Sequence, residues 1–160
     1  MAAEYTSLTD IEHALCRPDM YIGSIEEEKA ATFLYADSKI VRRSLKARPG
    51  LHKLLDEVLS NATDNAARGR GTTRIKVHIT PTSVSVWNNG RSIPFTMLGD
   101  VPTITAVFGM LRTGSNFDDS RERQTGGRNG FGIKLVNIWS TRFRVTVVHN
   151  EETFTQTWQK

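Results

Sequence analysis

The sequence is poor in the features that mark secreted and membrane proteins. Cys16 is the single cysteine among 160 residues, so no disulfide can form within the chain. No apolar run approaches the roughly 20 residues of a membrane span, and the N-terminal residues lack the basic and apolar regions of a signal peptide. These absences favour a reducing compartment, the cytosol or the nucleus, and the length favours one domain.

Neither charge nor composition identifies a function. Apolar residues make up 38% of the chain and charged residues 24%, which argues against disorder. The net charge is +4, and arginines are frequent after residue 112. They suit a polyanion, but Asp118, Asp119 and Glu122 are interleaved with them, so the charge alone favours a mixed, solvated surface.

Hydrophobic periodicity predicts several elements. A stripe of apolar residues predicts a helix from Leu51 to about Ala67, with Leu54, Leu55, Val58, Leu59, Ala62 and Ala66 on its buried face. Thr9 and Glu12 form a capping-box pattern for a short helix over 10–15, which Pro18 breaks. Alternation of apolar and polar residues predicts four strands, at 75–79, 84–87, 142–148 and 153–158. Apolar runs predict two short helices, at 106–111 and 133–139. Residues 25–48 show no decisive pattern.

Glu57 and Asn61 are four residues apart on the long helix, and their shared face borders its apolar stripe. A carboxamide oxygen suits Mg²⁺, which takes few protein ligands, and a carboxylate one turn away suits the activation of water. Taken alone, the pair is more typical of an ordinary solvated helix surface that also includes Asp64 and Asn65.

Asn88 ends the second strand of a predicted hairpin and begins an Asn-Asn-Gly sequence. That sequence is typical of a turn. An acceptor at a strand end also suits the amino group of adenine, and nothing local decides between the two interpretations.

The segment 126–132 (GGRNGFG) contains four glycines and leads into a predicted helix. Free amide groups at a helix N-terminus bind phosphates, and Arg128 and Lys134 would add charge-assisted contacts. The segment is not a Walker A loop, because Ile133 and Lys134 stand where Lys-Ser/Thr is required. A flexible surface loop remains the alternative for this segment alone.

The order of these three signals resembles the GHKL family of ATPases, which includes gyrase, heat-shock chaperone, histidine kinase and MutL ATPases. Within it, the chain is similar to the ATPase region of eukaryotic-type type II DNA topoisomerases. The matching stretches include RPDMYIGS at 17–24, WNNG at 87–90 and TGGRNGFGIKL at 125–135. Shorter matches lie at Glu12-His13, Pro49-Gly50, Asp56-Glu57, Asn61-Ala62, Ser115-Asn116, Asn137-Ile138 and Ser140-Thr141.

The resemblance implies an α+β fold, the GHKL (Bergerat) fold, with a mixed, mostly antiparallel sheet covered on one face by helices and incomplete at its C-terminal end. It makes residues 1–160 an N-terminal ATPase domain, with 1–10 an extended arm and 11–160 a truncated nucleotide-binding core.

The resemblance also assigns roles to residues at matching positions. Glu57 is implied as the general base, Asn61 as the Mg²⁺ ligand, and Tyr5 as an arm residue that reaches the nucleotide of the partner protomer. The implied ATP contacts are Asn61, Asn65, Asn88, Gly114, Ser115, Asn116, Gly127, Arg128, Asn129, Gly130, Phe131, Gly132, Ile133 and Lys134.

Three departures from the family pattern stand out. Ser92 replaces a glycine after the Asn-Asn-Gly turn, and Gly114 replaces a serine that would offer a hydroxyl contact. The family's ATPase region also continues beyond the equivalent of Lys160 into a transducer domain, which supplies a lysine to the γ-phosphate.

The function implied is the ATP-binding part of a type II DNA topoisomerase, in which ATP closes an N-terminal dimer gate during strand passage. The implied cofactors are ATP and Mg²⁺, and the implied partners are a second copy of the chain and, through the full-length protein, DNA, with no membrane. A nuclear location is expected, with an organelle or the cytoplasm as alternatives. Two other functions stay open: a nucleotide-dependent dimerisation module without turnover, and a basic DNA-binding fragment that does not use ATP.

Overall fold

The structure is a computed structural model that describes residues 5–69, 71–114, 126 and 130–160. The chain forms two compact units, Met1–Leu54 and Leu55–Lys160. No helix in the described segments is both long and apolar enough to cross a membrane.

The first unit begins with the helix that the capping pattern predicts. Helix α1 spans Asp10–Cys16 and has Thr9 as its N-cap. The Glu12 amide donates to Thr9 Oγ1 at 3.3 Å, and the Thr9 amide donates to Glu12 Oε2 at 2.8 Å. This reciprocal pair confirms the capping box. A 3₁₀ turn follows at Pro18–Met20, where a helix break is predicted.

The segment without a decisive pattern forms an antiparallel hairpin. Strand β1 spans Glu28–Ala36 and β2 spans Lys39–Ala47. The turn residues Asp37 and Ser38 have positive φ angles of 51° and 60°. Most side chains of both strands are exposed. Neither face of the hairpin is fully buried. The alternation of apolar and polar residues that marks a half-buried strand is therefore weak in this segment.

Helix α2 spans Pro49–Ala67, and the boundary between the two units falls within it. The helix is confirmed at the predicted place, but its apolar stripe is less buried than predicted. Ala62 is buried, whereas Leu51, in the first turn, is 54% exposed. Gly50 is needed for a close approach, since a Cβ there would lie 3.1 Å from the Ser24 carbonyl oxygen.

The second unit contains three more antiparallel pairs. The predicted hairpin is confirmed, since β3 (Ile75–Ile79) pairs with β4 (Val84–Asn88). The two strands predicted near the C-terminus are also present, and β7 (Arg142–His149) pairs with β8 (Glu152–Gln159). Two residues each form β5 (Met97–Leu98) and β6 (Val101–Pro102). Every strand pair in the described part of the chain is antiparallel.

Two helices pack against one face of the β7–β8 pair. Helix α3 spans Thr103–Gly109, starting three residues before the predicted 106–111, and α4 spans Gly132–Trp139. Buried Ile104 and Ala106 of α3, Ile133, Leu135 and Ile138 of α4, and Val145 of β7 form the core. A Cβ on Gly109 would lie 3.1 Å from the Trp158 ring, so α3 and β8 touch closely. Helices and antiparallel strands together confirm the α+β class.

Candidate functional site

The polar face of α2 carries four side chains at one-turn spacing. Glu57, Asn61, Asp64 and Asn65 share this face because they lie four, seven and eight residues apart. Asn61 is exposed, whereas Glu57, Asp64 and Asn65 are partly buried. The face is therefore covered in part by other segments of the second unit.

Glu57 lies directly against the first residue of α4. A Cβ on Gly132 would overlap Oε2 of Glu57, so only glycine fits here without displacing the carboxylate. The Gly-rich segment and the candidate base therefore meet in the structure, although they are 75 positions apart in the sequence.

Asn61 is fixed by its own helix. Its Nδ2 donates to the Glu57 carbonyl oxygen at 2.6 Å. The protein thus engages the amide nitrogen, and Oδ1 is the atom offered to a metal. An exposed carboxamide oxygen fits Mg²⁺, which keeps several waters and takes few protein ligands. Within the described residues, no group of three or more His, Cys, Asp or Glu side chains forms a competing metal site.

Asn88 is joined to α2 through Asn65. Oδ1 of Asn88 accepts from Asn65 Nδ2 at 3.0 Å and from the Gly90 amide at 3.1 Å. Asn65 Nδ2 also donates to the Arg91 carbonyl oxygen at 3.3 Å. Both lone pairs of the Asn88 oxygen are in use, so an adenine amino group would have to replace one of these donors.

Thr72 lies beside the same turn. A Cβ on Gly90 would overlap Thr72 Oγ1 and lie 2.5 Å from Asn65 Nδ2, which explains the glycine. The Thr72 hydroxyl oxygen is buried and has no hydrogen-bond partner among the described residues. A buried hydroxyl without a partner is costly, so a ligand or water contact here would stabilise the site.

Asp64 contacts the other end of the Gly-rich segment. Its Oδ1 accepts a hydrogen bond of 2.9 Å from the Gly126 amide. An ordinary helix surface would leave the Asp64 carboxylate in solvent. In the structure Asp64 is instead partly buried, and its carboxylate contacts Gly126.

Lys134 is buried in the first turn of α4. Its side chain is 4% exposed, and Nζ donates to the Thr113 carbonyl oxygen. Burial lowers the pKa of Lys134 to about 8, because removal from water disfavours the charged form. The ammonium group of Lys134 thus contacts Thr113, the residue before Gly114. The contact of Lys134 with phosphate stays a prediction.

The remaining predicted residues divide into three groups. Gly130, with a positive φ of 65°, Phe131, Gly132 and Ile133 form the start of α4. Five predicted contacts lie outside the described residues: Ser115, Asn116, Gly127, Arg128 and Asn129. Tyr5 belongs to the first unit and is 85% exposed.

A family model covers every element of this site. Residues 47–159 match the model described as histidine kinase-, DNA gyrase B-, and HSP90-like ATPase. The chain belongs to this ATPase family. The match confirms the resemblance and the GHKL fold that the motif order predicts.

Several members of this ATPase family are similar along nearly the whole chain. DNA topoisomerase 2 of Drosophila melanogaster and DNA topoisomerase 2-beta of Homo sapiens are each 44% identical over 96% of this chain. The alignments cover 11% and 10% of those proteins, so the chain spans about a tenth of their length.

Solved structures of the ATPase family agree with the fold. The ATPase and transducer domains of DNA topoisomerase II from Balamuthia mandrillaris superpose with a TM-score of 0.93 and 39% identity, over 100% of this chain and 43% of that one. The ATPase region of Saccharomyces cerevisiae topoisomerase II superposes with a TM-score of 0.91 and 35% identity, over 98% of this chain and 44% of that one.

Asp64 and Thr72 are the two polar residues of the site that the sequence did not single out. A signal for Asp64 existed, since it follows Glu57 by seven residues and Asn61 by three, the spacing of one helix face. Thr72 lies in a loop before β3, and no sequence period connects it with Gly90.

Proposed function

We propose that the second unit binds ATP between α2, the end of β4 and the start of α4, and that Glu57 activates the water that hydrolyses it. The observation that carries this proposal is the contact of the Glu57 carboxylate with Gly132. It brings a proton acceptor to the N-terminus of a helix that begins in a Gly-rich segment, where phosphates bind in proteins.

The first turn of α4 suits phosphate oxygens. Its N-cap residue Phe131 provides no side-chain cap, and the first intrahelical bond to Phe131 comes from Lys134. The amides of Gly132 and Ile133 therefore have no partner within the helix, as at the start of any helix, and the helix dipole favours an anion beside them. Lys134 adds a cation that can turn from the Thr113 carbonyl oxygen towards a phosphate.

Hydrolysis requires a proton acceptor and charge neutralisation near the γ-phosphate. Glu57 accepts the proton of the attacking water, and the amides of α4 hold the phosphates in place for in-line attack. Asn61 Oδ1 would hold Mg²⁺, which when bound neutralises phosphate charge. The bond from Asn61 to the Glu57 carbonyl oxygen keeps the amide oriented for that role.

The adenine end lies at Asn88. When adenine enters, its amino group replaces Asn65 Nδ2 at the Asn88 oxygen, and Asn65 becomes available to the nucleotide. The buried Thr72 hydroxyl provides a further polar contact in the same place.

In the whole protein, we propose that this ATPase drives the strand passage of a type II DNA topoisomerase. Similarity to DNA topoisomerase 2 proteins along 96% of the chain supports this role. ATP would close a homodimer in which exposed Tyr5 of one protomer reaches the nucleotide of the other, DNA would be the substrate, and the nucleus the location.

The test replaces Glu57 by Gln, which keeps size and hydrogen bonding but cannot take a proton. We expect ATP affinity within a few fold of the wild type and a loss of turnover of about 10²–10⁴-fold. Calorimetry measures the affinity in the presence of Mg²⁺, and phosphate release measures the turnover. Asp56→Asn removes the neighbouring, exposed carboxylate and should change neither quantity.

The results separate the proposed function from its alternatives. Equal turnover in Glu57→Gln and wild type would remove Glu57 from the role of base. A wild type that binds ATP without turnover would instead be a dimerisation module, and one that does not bind ATP would leave only the DNA-binding alternative.

A further inference from the structure

The loop that follows β4, residues 89–92, is held at both ends. Asn89 fixes its start, because its side chain forms hydrogen bonds with the segment before β3. Ser92 fixes its far end, since Ser92 Oγ and His149 Nδ1 lie 2.8 Å apart and share a partly buried hydrogen bond. This bond joins the loop to the last residue of β7, 57 positions along the chain. The far end therefore depends on a side chain outside the set of predicted ATP contacts.

His149 is placed by its own strand pair. It stands opposite Glu152 in the register of β7 and β8. Its ring packs against Phe95, with the ring centroids 5.6 Å apart, and Phe95 packs against Phe154 of β8 with a centroid distance of 6.1 Å. Strand pairing and aromatic packing thus fix the histidine ring before any ligand binds, so the ring can hold the loop from an ordered strand.

The far end of the loop also holds Asn65. The Arg91 carbonyl oxygen, next to Ser92, accepts from Asn65 Nδ2 at 3.3 Å, and the second acceptor of that nitrogen is Asn88 Oδ1 at 3.0 Å. When adenine takes the place of Asn65 at Asn88, the Arg91 oxygen is the acceptor that remains. The position of Arg91 then decides where Asn65 points, and His149 supports that position through Ser92.

We propose that His149 is a positioning residue that, through Ser92, holds the 89–92 loop and the Arg91 carbonyl oxygen in place for the nucleotide. The inference rests on the proposed binding of adenine at Asn88. Without the bond, the loop must be ordered when ATP binds, and the cost of ordering lowers the affinity. The reacting phosphates are proposed to lie at α4, so turnover at saturating ATP should not change.

The bond needs both side chains but no particular protonation state. A serine hydroxyl can donate to a neutral Nδ1 or accept from Nδ1–H, so the bond forms with either tautomer and with the protonated ring. Ser92 stands where the family pattern has a glycine, which could not form it. Removal of either partner is therefore a sufficient test at a single pH.

The experiment removes the bond from each side. His149→Phe keeps an aromatic ring against Phe95 but has no Nδ1, and Ser92→Ala removes only the hydroxyl. We expect each variant to raise the Kd for ATP in the presence of Mg²⁺ about three- to tenfold, the range expected for one neutral hydrogen bond. The double variant should lose no more than either single variant, because both remove the same bond. His78→Phe, the same substitution at an exposed histidine of β3, is the matched control and should leave the Kd unchanged.

His149→Asn distinguishes positioning from packing. Asparagine places a polar atom where Nδ1 lies, so it can bond to Ser92, but it lacks the aromatic ring. We expect its Kd for ATP to lie close to that of wild type, and kcat at saturating ATP to be unchanged in every variant. A packing role for the ring would give the opposite order, with the loss in His149→Asn and none in Ser92→Ala, and would contradict the inference.

A second measurement needs no nucleotide. The Gly90 amide lies within the loop and donates to Asn88 Oδ1 at 3.1 Å. Its hydrogen exchange, followed by NMR on glycine-labelled protein, should be faster in His149→Phe and Ser92→Ala than in wild type. In His149→Asn the exchange should be close to that of wild type.

The outcomes distinguish this inference from the proposed function. If wild type binds ATP and both His149→Phe and Ser92→Ala bind it equally well, the bond does not position the loop. Losses that multiply in the double variant would also overturn the inference, because the two side chains would then act separately. A wild type without ATP affinity would contradict the proposed function, and Gly90 exchange would still decide whether His149 holds the loop.

Discussion

At the scale of single residues, two glycines of the site are needed for different physical reasons. Gly132 has an ordinary helical conformation but no room for a Cβ beside Glu57. Gly130 has a positive φ of 65°, which side chains with a Cβ disfavour. Space limits the first position and backbone conformation limits the second, so each needs its own test.

Gly132→Ala should separate the base from the phosphate site. Alanine is the better helix former by about 0.5–1 kcal/mol, so the fold should persist. Its methyl group must push the Glu57 carboxylate aside, and a displacement of about 1 Å can reduce turnover about a hundredfold. Phosphate release measures the effect. Gly126→Ala is the control, since its Cβ would meet Asp64 at an ordinary 3.9 Å; equal losses in the two variants would contradict the argument.

Gly130→Val should abolish ATP binding and leave the fold largely intact. A β-branched residue is strained at positive φ and fills space close to the start of α4. Calorimetric titration with ATP measures the binding, and circular dichroism monitors the fold. Normal ATP affinity in this variant would mean that the phosphates bind elsewhere.

At the scale of secondary-structure elements, predictability followed burial only in part. Helix α2 and the β7–β8 pair bury part of one side, and their periods of about 3.6 and 2 appear in the sequence. The β3–β4 pair alternates in sequence as well, although most of its side chains are exposed. The β1–β2 hairpin exposes Phe33, Tyr35 and Ile40 by 71%, 78% and 76%, and its sequence therefore carries no such period. The helix predicted at 106–111 begins three residues earlier in the structure, at Thr103, directly after Pro102.

Ser38→Gly should stabilise the β1–β2 hairpin. The turn places Asp37 and Ser38 at positive φ, a conformation that costs a residue with a side chain about 1 kcal/mol. Glycine adopts it freely, so we expect the free energy of unfolding to rise by about 0.5–1 kcal/mol in urea denaturation. Lys39→Gly, in the adjacent strand, should lower it; a drop in both variants would show that Ser38 is not strained.

The candidate site was predictable in its residues but not in its connections. Glu57, Asn61, Asn88 and the glycines all carry a local signal, and the order of their motifs identifies the family. The bonds from Asn65 to Asn88 and from Asp64 to Gly126 join residues 23 and 62 positions apart. Such contacts depend on how elements pack, and no local pattern encodes them.

At the scale of the whole molecule, the chain matches part of longer proteins. It covers 44% and 43% of two solved relatives, one of which contains ATPase and transducer domains. The resemblance implies that a transducer lysine reaches the γ-phosphate. A positioned donor or cation at that place contributes about a hundredfold or more to turnover.

We therefore expect residues 1–160 alone to bind ATP weakly, to hydrolyse it at least about a hundredfold more slowly than a version extended through the transducer domain, and to cleave no DNA. A side-by-side assay of phosphate release per site measures the difference. Equal turnover in the two proteins would show that the second unit already contains the complete catalytic apparatus.

The placement of Glu57, Asn61 and Asp64 on one helix also limits which insertions and deletions the gene can accept. Each residue of an α-helix turns the chain by about 100°. Loss of Ser60 alone would leave every site residue present, yet Asp64 would then follow Glu57 by six residues instead of seven, and would be turned by about 100° away from the side of α2 that holds Glu57. Substitutions at Ser60 should be tolerated far better than its removal, so between positions 57 and 64 the length of the chain is more constrained than its composition.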